Sequence, residues 1–83
     1  MIFREIVFAG ERLDAGASAG LVQRAMRYDS DVTLEAGLRK INGKSLMGVV
    51  SMGLKHGDRL TVIASGDDEK RALDDITDYL NRS

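Results

Sequence analysis

Two hydrophobic periods meet at Gly66. Before it, Leu60-Thr61-Val62-Ile63-Ala64 is the most strand-like run in the chain. After it, Asp67-Asp68-Glu69 places three carboxylates where a helix begins and its dipole favours negative charge. Ala72, Leu73, Ile76, Tyr79 and Leu80 then recur at helical spacing as a single apolar stripe. A strand that passes directly into a one-sided helix calls for two layers, with the stripe of the helix buried against a sheet.

The rest of the chain supplies that sheet. Ile2 to Phe8 is short, β-branched and aromatic, and closes at Gly10, as a strand does. Leu21, Val22, Ala25 and Met26 have helical spacing, with an end expected near Tyr28-Asp29. Asp31-Val32-Thr33-Leu34-Glu35 alternates polar and apolar, Ala36-Gly37 signals a turn, and Leu38-Arg39-Lys40-Ile41 is the expected return strand of a hairpin. Asn42-Gly43-Lys44 breaks that strand, and Ser45 is placed to cap a short helix from Leu46 to Leu54. His56-Gly57-Asp58 reads as a turn. The order is βαββαβα, without repeats or linkers. It predicts one α+β domain over residues 1–83, an open-faced two-layer sandwich with three helices on one face of a four-stranded antiparallel sheet.

Composition removes several function classes. Eighty-three residues suffice for one small domain, and 43% apolar with 30% charged residues is an ordinary globular balance. The chain has no Cys, which excludes disulfides and thiolate chemistry, and its single His makes a zinc site an unfavourable reading. Net charge is −1 with both signs interspersed, which argues against direct nucleic-acid binding through phosphates. No secretory leader or membrane-length apolar run is recognisable, so a cytoplasmic protein without membrane contact is expected. No triad, phosphate-binding glycine loop or metal cluster points to an enzyme or to a cofactor.

Two stretches stand out as candidate sites. In "SLMGVVSMGL", residues 45–54, every position that is not apolar is Ser or Gly. So small a domain cannot wrap a helix on all sides, so some of Leu46, Met47 and Val50 are expected to face solvent and form a contact surface. Ser45 is a good N-cap, and a helix N-terminus also stabilises the charge of a phosphate on such a serine. The other stretch is "RLDAGASAG", residues 12–20, in which Asp14 stands among small residues ahead of a helix. Capping explains an acid there. So does a fixed negative charge displayed to a partner, and the two readings remain open at the level of sequence.

"NGKSLMGVVSMGL" (42–54), "ASGDDEKRALDDI" (64–76) and "LVQRAMRYDSDVTLE" (21–35) resemble the HPr family of small bacterial phosphocarrier proteins along essentially the whole chain. The resemblance implies the same βαββαβα order. It identifies Ser45 with the serine that an HPr serine kinase/phosphorylase modifies in low-GC Gram-positive bacteria, after which such proteins act as corepressors of a LacI-type catabolite control transcription factor. The phosphocarrier motif of the family, Gly-Ile/Leu-His-Ala-Arg-Pro-Ala, is broken here. Its His falls on Asp14, its Arg on Gly16 and its Pro on Ala17, while Leu13 and Ala15 fit. The nucleophile, the cation for the phosphoryl group and the fixed helix start are therefore all absent. His56, the only histidine, aligns with nothing catalytic and reads as a solvated loop residue.

The chain thus resembles the HPr-like members that lack the carrier histidine. The implied function is regulatory: phosphorylation on Ser45, docking through Leu13, Asp14, Leu46, Met47 and Val50 on the transcription factor or on metabolic enzymes, and a degenerate carrier site at Asp14, Gly16 and Ala17. A constitutive protein-binding module of another pathway is the alternative, favoured by Gly16, where the family has a cation. Phosphate transfer through Asp14 is less compatible, since acyl-phosphate sites gather several carboxylates around a metal and only Glu11 is near in sequence.

Overall fold

The computed structural model describes residues 1–82. Its elements are β1 (Ile2–Val7), α1 (Ala15–Ala25), β2 (Asp31–Ala36), β3 (Arg39–Asn42), α2 (Leu46–Ser51), β4 (Arg59–Ser65) and α3 (Glu69–Arg82). The four strands form one antiparallel sheet in the order β1-β4-β2-β3, so the last strand to be made sits between the first and the second. The three helices pack on one face, giving the expected α+β sandwich.

Alternation along the strands explains the two faces. Leu60, Val62 and Ala64 of β4 and Val32 and Leu34 of β2 are buried under the helices. Phe3, Glu5 and Val7 of β1 and Thr33, Thr61 and Ile63 turn to the open side. The expected stripe of α3 closes the core, with Ala72, Leu73, Ile76 and Leu80 buried. Tyr79 lies at its margin, where its hydroxyl donates to the Ala17 carbonyl at 2.7 Å and ties α3 to the first turn of α1. Each fully buried Leu, Ile, Val or Phe contributes about 1.5–3 kcal/mol.

Three element ends differ from expectation. α2 stops at Ser51 instead of reaching Leu54, because Gly53 adopts φ +60° and turns the chain so that Leu54 enters the core. α1 ends at Ala25, and Arg27 and Tyr28 follow in tighter turns onto the carbonyls of Arg24 and Ala25. The chain is drawn off the helix there by side chains from elsewhere: Lys44 donates its ammonium to the Tyr28 carbonyl at 2.8 Å. The β2–β3 hairpin uses Gly37-Leu38 as its loop, so Leu38 is a fully exposed turn residue and the return strand starts at Arg39.

Asp68 does more than complement the α3 dipole. Its carboxylate accepts the backbone N–H groups of Asp29 and Ser30, each at 2.9 Å, and the Ser30 hydroxyl, so it clamps the α1–β2 connection onto the start of α3. Gly66 makes room for this clamp. It has φ +151°, and a Cβ there would lie 2.7 Å from the Ser30 Cα. The Ser30 hydroxyl and the N–H groups of Asp29 and Ser30 hold the Asp68 carboxyl down at about 2. The Glu69 carboxyl is lowered by the Gly66 N–H, and that of Asp74 by Lys70 and Arg4. Burial pushes the Asp75 carboxyl up, but hydrogen bonds from Tyr28 and Arg24 outweigh it and leave the group below its ordinary value.

All four folded-state values are depressed, so the unfolded chain takes up protons first as pH falls. Their contribution is complete at neutral pH and is lost as pH drops from about 4 toward 2. Thermal unfolding followed by circular dichroism is therefore expected to show a melting temperature that falls steeply below pH 4. Asp68→Asn starts from a lower plateau and falls less steeply over the same interval. Equal acid slopes for the two proteins would remove Asp68 from this account.

Candidate functional site

Ser45 sits at the mouth of α2 in extended backbone, and its Oγ accepts the Gly48 N–H at 3.1 Å. It is the N-cap that the sequence suggests. The preceding turn is held by Asn42, whose side-chain oxygen accepts the Lys44 N–H at 2.9 Å. At the other end of the helix, the Arg39 guanidinium donates to both the Ser51 carbonyl and the Ser51 hydroxyl, at 2.5 and 2.8 Å. A helix of six residues is marginal by itself, and here side chains satisfy backbone groups at both ends.

Val49 alone of the helix is fully buried, directed at the core. Leu46, Met47 and Val50 project the other way, 47%, 85% and 40% exposed. The expectation that some of these three face solvent is met by all of them, and they make a contiguous apolar stripe beginning directly after Ser45.

Asp14 caps α1 as Ser45 caps α2: its Oδ1 accepts the Ala17 N–H at 2.9 Å, and the Ser18 N–H bonds the Asp14 carbonyl at 2.8 Å. Gly16 is exposed, and a Cβ there would lie 3.6 Å from that Oδ1 with nothing else nearby, so the carboxylate is left uncovered. Ala17 is half-buried and packs against the core.

Leu13 requires a correction. Only 2% of it is exposed, and its side chain belongs to the core and not to a docking surface. The reason lies in the backbone: the Leu13 N–H bonds the Leu54 carbonyl at 2.9 Å, and the His56 N–H bonds the Glu11 carbonyl at 3.0 Å. This short ladder sends Leu13 and Leu54 inward together and pairs Arg12 with Lys55 on the outside. His56, exposed as expected for a loop residue, also places its Nδ1 3.1 Å from the carbonyls of Ala9 and Gly10. The ring is part of the strapping that fixes the loop before α1. The Arg12–Lys55 pairing gave no sequence signal, because the two residues meet only through this ladder.

Among the described residues, no group of three or more His, Asp or Glu is arranged to hold a metal ion. Among the described residues, no helix is long and apolar enough to cross a membrane.

The family model described as PTS HPr component phosphorylation site matches residues 7–82, a span that takes in both helix mouths. The chain is 43% identical over 68 residues to the HPr-like protein Crh of Bacillus subtilis (strain 168), covering 82% of this chain and 80% of that protein. Among solved structures, HPr-C-His from Thermoanaerobacter tengcongensis superposes with a TM-score of 0.91 at 32% identity, covering 96% of this chain and 91% of the other. The phosphocarrier protein HPr from Bacillus anthracis str. Ames also gives a TM-score of 0.91, at 28% identity, with 95% of each chain covered. With this fold, this family match and a Crh relative at such identity, the chain belongs to the HPr family, and within it resembles the HPr-like protein Crh as well as the phosphocarriers.

Proposed function

We propose that this protein is an HPr-like regulator of carbon catabolite repression, neither an enzyme nor a working phosphocarrier, that is switched by phosphorylation of Ser45. The observation that carries the reading is the contrast between the two helix mouths. At α2, a half-buried serine caps the helix beside an exposed apolar stripe. At α1, the equivalent place holds a carboxylate already engaged with the Ala17 N–H. An aspartate there offers no imidazole nitrogen to accept a phosphoryl group, and Gly16 and Ala17 supply neither cation nor ring.

In the proposed switch, an HPr serine kinase transfers the γ-phosphoryl group of ATP to the Ser45 Oγ, with loss of the hydroxyl proton and release of ADP. The product carries about −1.5 to −2 charge. That charge sits at a helix start, where exposed N–H groups and the dipole favour it, so modification is compatible with an unchanged fold. The readout is a changed charge next to Leu46, Met47 and Val50, through which the protein docks on a LacI-type catabolite control transcription factor or on metabolic enzymes. A second reading, a constitutive binding module of another pathway, is favoured by Gly16 and by Lys44, whose ammonium is spent on the Tyr28 carbonyl and not turned to Ser45.

Incubation with the serine kinase and ATP, read by intact mass, is expected to add one phosphate, and Ser45→Ala to add none. That variant loses about 0.5–2 kcal/mol as an N-cap. No labelling of the parent protein would leave the constitutive module as the better reading. Met47→Asp is expected to keep the parental melting temperature and to abolish retention of the transcription factor in a pull-down with the phosphorylated protein. If it unfolds instead, Met47 is a packing residue.

Phosphoenolpyruvate and the general phosphotransferase enzyme are expected to leave the protein unlabelled. Asp14→His gains little labelling, because positions 16 and 17 still lack the supporting groups. Asp14→Ser keeps the cap and loses at most a few tenths of a kcal/mol. Label on the parent protein that disappears in Asp14→Asn would restore carrier function through an acyl phosphate.

A further inference from the structure

The Arg12–Lys55 pairing places two cations face to face at a cost to the fold. The bonds on either side of it, Leu13 N–H to Leu54 and His56 N–H to Glu11, make it a non-hydrogen-bonded antiparallel pair. Residues opposite one another in such a pair have Cα atoms about 4.5 Å apart and side chains on the same side. Like charges so placed repel and destabilise the pairing.

Among the described residues, no direct ion pair to either side chain offsets that repulsion. Both residues are exposed, and neither makes an ion pair among the described residues. The nearby acids are engaged with backbone: Asp14 with the Ala17 N–H, and Asp58, through Oδ2, with the Lys55 N–H at 2.9 Å. Glu11 contributes its carbonyl to the ladder, and its neighbour Arg12 points to the opposite side of the strand. The His56 ring is turned to the Ala9 and Gly10 carbonyls. The cations are therefore presented outward, on backbone held by two ladder hydrogen bonds. Lys55 follows the turn that ends α2, so the pair stands at the C-terminal end of the helix that carries Leu46, Met47 and Val50.

We infer that Arg12 and Lys55 form an acid-recognition element at the C-terminal end of the α2 docking face, and that the partner is a protein whose apolar hollow is flanked by two or more carboxylates. The inference rests on the docking reading above for its apolar half. Carboxylates brought between the two cations would relieve repulsion that the free protein carries, so the contact gains more than an isolated surface ion pair does. It also supplies cations beside the α1 mouth, where Gly16 has none.

The test is a two-dimensional NMR titration of the isotope-labelled full chain with hexaglutamate peptide, with inorganic phosphate and hexalysine as separate arms. Hexaglutamate is expected to shift the amides of Arg12, Leu13, Lys55 and His56 saturably, and to bind at least tenfold more weakly to Arg12→Gln/Lys55→Gln. Lys55→Glu replaces repulsion by attraction. It is expected to raise the melting temperature by roughly 2 °C while losing the hexaglutamate shifts, a divergence that a merely structural lysine does not produce. Shifts that survive in the double variant, saturation by phosphate without hexaglutamate, or a Lys55→Glu protein melting several degrees lower would each overturn the inference. Neither the kinase nor the transcription factor enters this experiment. Its failure therefore leaves the Ser45 reading standing, and failure of Ser45 labelling leaves this result intact.

Discussion

Val62 is paired with Arg4 on one side and Leu34 on the other, and the rest of the molecule depends on that double pairing. Among the described residues, β1 stands at the edge of the sheet and joins β2 through β4. The strand that unites them is made late in the chain, so the core closes only when both ends of the chain meet. Non-local pairing of this kind carries a loop-closure penalty before any contact repays it. Once β4 is in place, Leu60, Val62 and Ala64 present a continuous apolar floor for α3. The Arg4 guanidinium reaches across β1 to Thr77 and Asp74 and secures the same helix from the edge.

What could be read in advance was what periodicity encodes. The strand at 60–64, the stripe of α3 and the order of elements follow from which residues are apolar and at what spacing. So do the two caps, because Ser and Asp ahead of small or apolar runs have few other local uses. Element ends were less legible, since they depend on competitors from other parts of the chain. Lys44 and Asp68 take the polar groups of the segment after α1, and no local pattern around Tyr28 announces either. Leu13 was misassigned for a related reason. A motif alignment says which position it occupies and not which way it faces, and only the ladder to Leu54 decides that. The Arg12–Lys55 pair and the seating of His56 come from the same ladder and were invisible without it.

α1 and α2 start with the same device, an extended residue whose side-chain oxygen accepts an N–H one turn ahead. The difference is in what the oxygen can become. A carboxylate brings its charge permanently, whereas a hydroxyl acquires charge only through a covalent event. On the proposed reading, the helix mouth at Asp14 is already occupied by a carboxylate and the one at Ser45 is left open to modification. Ser45 adjoins the exposed stripe. Ser45 and Arg39 hold α2 from its two ends, so a change at Ser45 meets a short helix that is seated on the core by Val49 and tied at its far end by one guanidinium.

β1 is an edge strand, and its sequence governs how two copies of the sheet could meet. A two-fold axis that joins edge to edge in antiparallel fashion must run perpendicular to the sheet, and it keeps each side chain on its own face. Arg4 points to the helices and Glu5 to the open side. Symmetric registers are therefore limited to those that oppose residues of the same face. Of these, the two with the largest overlap set Arg4 against Arg4 or Glu5 against Glu5 of the second copy. In the two registers that bury the most strand, register and charge conflict, so symmetry itself works against continuing the sheet through this edge.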